Sequence, residues 1–160
     1  MLSNLLTKYA LRVITSRKAD FSIGPENDPY MLRWFAVPRN RFFNIYIHRI
    51  LHDDDDRALH DHPWPSLSFM VDGEILEHHK APHGDWPRKR FLKAGQWVYR
   101  PSEFAHRLAL KTETATTVFM TGPRIREWGF HCPKGWVHWK DFVAKDNKGA
   151  VGRGCGEMDE

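Results

Sequence analysis

The sequence predicts an all-β domain, a sandwich or barrel of antiparallel strands, with one helix at its N-terminus. Three observations lead there. From Met31 to Thr121, short runs rich in aromatic and β-branched residues recur, each closed by turn chemistry such as Pro38-Arg39-Asn40, Asp72-Gly73, Ala94-Gly95 and Gly122-Pro123. Helical spacing of apolar residues precedes that region rather than interrupting it. At 160 residues, with 41% hydrophobic residues, seven Trp and ten Phe, the chain is one folded domain able to enclose a ligand-sized cavity.

The helix is expected over Met1 to Lys18, where Leu2, Leu5, Leu6, Tyr9, Ala10, Val13 and Ile14 follow helical spacing. Lys8 and Arg12 break the apolar stretch that a secretory signal requires, so the element is read as a retained amphipathic helix packed on the barrel. Residues 1–20 form this element, 21–143 the barrel, and the Gly-rich stretch 144–160 a mobile tail. Phe21 to Tyr30, with Gly24-Pro25, Asn27, Asp28 and Pro29, reads as a loop. Strands are expected at Met31 to Val37, Arg41 to Leu51, Leu67 to Val71, Glu74 to Lys80, Arg90 to Leu92, Gln96 to Arg100, His106 to Leu110 and Thr116 to Thr121. The acidic run from His52 to Arg57 is a loop, and the aromatic stretch from Trp128 to Phe142 adds a last strand or a clamp over the barrel.

Charge and cysteines set expectations about surroundings. The net charge of +4 accommodates an anionic small molecule, but the basic residues are scattered among acidic ones and no nucleic-acid motif is present. Arg88-Lys89-Arg90 is expected as a solvated hairpin arm. No apolar run approaches the twenty or so residues of a membrane span. Two cysteines in unlike contexts, Cys132 and Cys155, give no disulfide framework, and a reducing cytoplasm fits them.

The chemistry concentrates in His60-Asp61-His62-Pro63-Trp64. Two residues apart on an extended chain, both imidazoles point to one side, which is chelating geometry. A third histidine from a neighbouring strand, for which His106 is best placed, completes a facial nitrogen set suited to a divalent transition metal, Fe, Mn, Co, Ni, Cu or Zn. Both short motifs of the cupin superfamily can be laid over these residues without gaps. G-x5-H-x-H-x3-E-x6-G falls on Asp54, His60, His62, Ser66 and Gly73, and G-x5-P-x-G-x2-H-x3-N falls on Gly95, Pro101, Glu103, His106 and Leu110; six of the ten fixed positions agree. The chain thus resembles a cupin over roughly Asn44 to Thr121. The resemblance implies a double-stranded β-helix, or jelly-roll barrel, that pairs as a homodimer and holds its metal on His60, His62 and His106.

The departures are informative. Ser66 occupies the place of the carboxylate that is the fourth ligand in most metal-binding cupins, so the set resembles the three-His variant of thiol dioxygenases, whose neutral ligands leave room for an anionic substrate. The ends of the barrel, Thr121 to Phe130 and Gly135 to Trp139, are similar to uncharacterised bacterial and phage cupin proteins; this implies an intracellular protein of phage or prophage origin and carries no activity.

Strand alternation through Ser66 puts Ser68 and Met70 on the metal side and Leu67, Phe69 and Val71 on the other, and places Phe104 and Leu108 inside with His106. Arg100 shares a face with Gln96 and Val98, and if that face is inward it is the natural partner of a substrate carboxylate. Ser66, Ser68 and Arg100 are the candidate substrate-binding residues. Asp61, pointing away from the ligands, is a supporting acceptor or a loop anchor. A chelate from His52, Asp54 and His106 is the alternative site. His78, His79 and His83 are expected in solvent on a hairpin leading away, and His131, Cys132 and His138 as structural. Three functions compete: a non-haem oxygenase acting on a small anion, a sugar-epimerase-like cupin with histidine as base, and a metal- or ligand-binding module without turnover.

Overall fold

The computed structural model describes residues 2–54, 58–80, 88–145 and 151–156. Helix α1 (Leu2–Ser16) buries Ala10 and Val13, with Leu6 and Ile14 beside them, against Trp34, Ile47, Phe69, Val71 and Val118. It ends where Ser16 Oγ and the Arg17 amide both turn back to the Val13 carbonyl.

Twelve strands follow, β1 (Phe21–Ile23), β2 (Met31–Phe35), β3 (Asn44–Ile50), β4 (Leu59–His60), β5 (Ser66–Asp72), β6 (Glu74–His79), β7 (Arg88–Lys93), β8 (Trp97–Arg100), β9 (His106–Leu110), β10 (Ala115–Thr121), β11 (Gly129–Cys132) and β12 (Gly135–His138), then the single turn α2 (Trp139–Phe142). They form two six-stranded sheets, ordered β1-β2-β3-β10-β5-β8 and β12-β11-β4-β9-β6-β7. Every pairing is antiparallel. Two elements differ from the sequence reading. Phe21–Ile23 pairs with β2 although its turn residues mark a loop, because a three-residue edge strand is too short to show a period. Leu59–His60 is a two-residue strand for the same reason.

Alternation sorts the first sheet into two faces. Trp34, Ile47, Phe69, Val71 and Val118 face α1. Met31, Ile50, Met70, Val98 and Ala115 face inward and meet Ile75 and Leu92 of the second sheet. Along each inward face the chemistry changes from apolar to polar: Met70 gives way to Ser68 and Ser66 on β5, Ile75 to Glu77 on β6, Leu92 to Arg90 on β7, and Ile50 to His48 on β3. One end of the barrel is therefore a hydrophobic plug and the other a polar chamber. The turn between β5 and β6 depends on Gly73, whose φ is +82° and whose Cβ would stand 2.4 Å from the Thr114 carbonyl oxygen.

The second sheet ends in a clamp. Phe130 stacks on Phe142 at 3.6 Å between ring centroids, and Trp128 on Trp139 at 5.7 Å. Residues 151–156, part of the stretch expected as a mobile tail, return to this clamp: Val151 bridges Val143, and the amides of Gly152 and Gly154 donate to the Phe142 carbonyl. That return joins Cys132 to Cys155 in a disulfide with Cα atoms 5.5 Å apart. The expectation of two unpaired cysteines is corrected accordingly; the contact is made by tail folding, which composition does not reveal. Among the described residues no helix is long and apolar enough to cross a membrane.

Candidate metal centre

His60 of β4 lies directly opposite His106 of β9 in register, which sends both side chains to one face. His62 follows two residues on, and the backbone there is held by its amide donating to the Ser102 carbonyl. The three rings pack with centroids 5.0–5.1 Å apart. One nitrogen from each lies within 4.8 Å of the others, and they form a group able to hold a metal ion. His62 Nε2 and His106 Nε2 are 2.9 Å apart. Two nitrogens held about 2.1 Å from one ion and at right angles stand about 3.0 Å apart, so this edge fits a shared ion. Burial pushes His62 well below the ordinary imidazole range and His106 down to about 4. Both are therefore neutral near pH 7 and present lone pairs.

The residue that orients His106 is Glu77, which the sequence reading did not single out. Its side chain is fully buried. Oε1 accepts from His106 Nδ1 and from Arg100 Nε, each at 2.6 Å, and Oε2 accepts from Arg90 Nε. Burial alone would raise this carboxyl; the hydrogen bond from His106 and the charges of Arg100 and Arg90 outweigh it and hold it well below the usual carboxylate range. A carboxylate on Nδ1 fixes the tautomer that leaves the lone pair on Nε2, the atom that could coordinate an ion. The alternation Ile75, Glu77, His79 was the available signal: it places a charge in line with a core isoleucine.

Several expectations are refined by the same network. Arg100 does point inward and is buried, but Glu77 and Ser68 Oγ, the latter at 2.8 Å from Nη1, hold it. Arg90 is not simply solvated, since it reaches Glu77; Arg88 and Lys89 are exposed. His78 is buried rather than in solvent, and His79 lies opposite His106 in register, because the hairpin runs beside β9 rather than away from the site. His83 lies outside the described residues. Ser66 is buried, and its Oγ makes no hydrogen bond among the described residues. Phe104 lies 5.8 Å from His106 between ring centroids, and Leu108 packs on the inner core.

The alternative chelate does not assemble. His52 Nε2 contacts Asp28 at 2.6 Å at the surface, and Asp54 is taken up by β9, with its Oδ2 accepting from the Leu108 amide at 2.6 Å. Asp61 anchors the clamp instead of touching the ligands: it accepts from the Gly129 amide, His131 Nε2, Trp136 Nε1 and Arg126 Nη1 at 2.9–3.1 Å. His138 caps α2 through the Lys140 amide. His131 and His138 make hydrogen bonds to Asp61 and Glu127, and Cys132 is in the disulfide.

No family model matches the chain, and no curated protein sequence matches it. Solved structures do. The Fe(II) form of HppE is 18% identical with a TM-score of 0.52, over 63% of this chain and 54% of that one, so this chain spans about half the length of HppE. A candidate mannose-6-phosphate isomerase from Ralstonia eutropha is 15% identical with a TM-score of 0.51, over 66% of this chain and 93% of that one. A double-stranded β-helix protein from Klebsiella pneumoniae is 16% identical with a TM-score of 0.50, over 68% and 90%. At these identities the likeness is one of fold, and the fold this chain shares with them is the cupin double-stranded β-helix.

Proposed function

We propose that this chain is a mononuclear metal-binding cupin and that, with Fe(II), it oxidises a small anionic substrate with O₂. The observation that carries the reading is the convergence of three imidazoles, one of them aimed by a buried carboxylate. His60, His62 and His106 would hold the ion. Bound there, a divalent metal supplies Lewis-acid chemistry and, as iron, redox chemistry towards oxygen. Glu77 keeps the proton on His106 Nδ1 and so keeps that ring a ligand. Ser66 adds a neutral hydroxyl where a carboxylate would cancel charge, so an anionic substrate keeps its attraction to the chamber. Ser68 and Arg100 fix the wall beside it through their mutual hydrogen bond.

Ser66 also supports a second reading, a binding module that captures metal and ligand without turnover. Elemental analysis of untagged protein beside His60→Ala and His106→Ala tests the shared premise. About one metal per chain is expected, with loss in both variants; a stoichiometry untouched by either substitution overturns the site. Oxygen consumption by iron-loaded protein, with thiols, 2-oxoglutarate and small organic acids as substrates, then separates the two. Consumption no greater than in the metal-free control selects the binding module.

A further inference from the structure

Three arginines reach the polar half of the barrel, and two of them, Arg90 and Arg100, share the Glu77 carboxylate. The third, Arg33, has no carboxylate partner among the described residues. It lies on β2 with inward parity, alternating with Leu32 and Trp34, which pack beneath α1. Its Nε donates to Nε2 of His48, its register partner on β3, at 2.8 Å. The guanidinium carbon stands 4.8 Å over the Tyr46 ring. His48 is buried and stacks between Tyr46 and Phe119, with centroids at 5.8 and 5.0 Å. Phe119 in turn lies 6.3 Å from His62.

These contacts fix the guanidinium plane without neutralising it. Burial holds His48 well below the ordinary imidazole range, so it accepts from Arg33 as a neutral ring and contributes no negative charge. Burial disfavours the charge of Arg33; of the side chains acting on it, Tyr46 and Tyr30 favour the charge and Arg39 opposes it, and none is a carboxylate. A partly desolvated cation whose neighbours supply only a neutral acceptor and aromatic faces is unfavourable by itself and favourable once an anion arrives. With Nε committed to His48, the two Nη groups remain as donors, in the fork geometry that matches the two oxygens of a carboxylate or phospho group.

We propose that Arg33, held by His48 and Tyr46, is the anchor of an oxyanion site inside the barrel, binding the acidic head group of the small molecule that the histidine centre acts on. The last clause rests on the metal reading; the anion site itself does not. Arg100, the arginine favoured by sequence alternation, keeps its partner Glu77 and builds the wall, whereas Arg33 meets the ligand.

The test is a heteronuclear NMR titration at constant ionic strength with sodium phosphate in one arm and sodium acetate in the other, following the backbone amide resonances of β2 and β3 in every variant and, in the unsubstituted protein, the Arg33 Nε–H resonance as well. It is run on metal-free protein and on the metal-loaded form, with metal content measured on the same samples. Saturable binding in at least one arm is expected, and the better arm names the head group. Arg33→Gln should weaken it about 10- to 100-fold, the loss of a charge-assisted pair. Arg33→Lys should weaken it less, and Arg49→Gln, on the opposite face of β3, should leave it unchanged. Binding by metal-free protein that depends on Arg33 upholds the anion site whether or not the histidines take metal. No saturation in either arm, or equal affinity in Arg33→Gln, overturns it. If Arg33→Gln does not fold, Arg33→Lys decides: an affinity equal to that of the unsubstituted protein in both arms overturns the site.

Discussion

Replacing Glu77 by Gln keeps the shape of the side chain and removes its charge, leaving two arginines and His106 facing a neutral amide. The cost rests mainly on Arg100, which is 3% exposed and has no route to water; the Arg90 side chain is 36% exposed and can turn outward. Stranding one buried charge of a pair costs about 3–5 kcal/mol. For a domain of this size each kcal/mol lowers the melting temperature by about 2–4 °C, so thermal unfolding by circular dichroism should show a fall of about 6–20 °C. An amide oxygen accepts from His106 Nδ1 more weakly than a carboxylate does, and metal affinity, measured by competition with a chromophoric chelator, should drop about 10- to 100-fold. Adding Arg100→Met removes the stranded charge and should restore most of the stability but not the affinity. A Glu77→Gln variant that melts within about 2 °C of the unsubstituted protein and binds metal equally well refutes the network as both support and director.

Two further outcomes follow from the burial of titratable groups and from the tail. In metal-free protein, stability should fall as pH drops from about 6.5 to about 4, because the unfolded chain takes up a proton on His106 in that window while the folded chain, with its imidazole lowered to about 4, does not. That difference is worth about 3 kcal/mol, and His48 and His62, lowered in the same direction, add to it. Below the ordinary carboxylate range the protonation of Glu77, whose carboxyl is held low in the fold, continues the loss. Urea midpoints that stay constant between about pH 7 and pH 5 contradict this reading. The Cys132–Cys155 disulfide spans a sequence separation of 23 residues and should contribute about 3 kcal/mol by constraining the unfolded chain. Cys155→Ser should therefore lower the melting temperature by about 6–12 °C, and thiol titration of denatured, unreduced protein should find no free thiol; two free thiols would remove the disulfide.

How much of this was legible in the sequence depends on the distance over which each feature is encoded. The two histidines of His-x-His announce themselves because strand alternation is local, and the turn at Asp72-Gly73 because a positive φ is a property of one residue. The inward faces of β5 were readable for the same reason, with Ser66, Ser68 and Met70 on one side and Phe69 and Val71 on the other. Glu77 was harder to read because its meaning comes from partners 13, 23 and 29 residues away; alternation with Ile75 hints that it points inward but does not show what neutralises it. Arg33 and His48 meet only through the register of β2 with β3, and the disulfide only through the return of residues 151–156. Arg100 shows the intermediate case. Alternation paired it correctly with Val98, yet whether that face lies inward, and what neutralises the guanidinium, are questions about a second sheet.

The charges of the chamber argue together for the sign of its ligand. Arg33, Arg90 and Arg100 bring three positive charges to a region where Glu77 is paired with Arg90 and Arg100, Arg33 has no carboxylate partner among the described residues, and burial disfavours the charged forms of His62 and His106. A carboxylate in place of Ser66 would cancel part of that excess and would also coordinate the metal; the serine leaves both the charge and the coordination position to whatever enters. A divalent ion bound to the histidines would raise the excess further, and in a partly desolvated chamber such an imbalance weighs more than it would in water. The same arrangement that would favour an acidic ligand makes the fold dependent on Glu77: a single carboxylate lies between two arginines and His106, so stability and the orientation of that imidazole rest on one side chain.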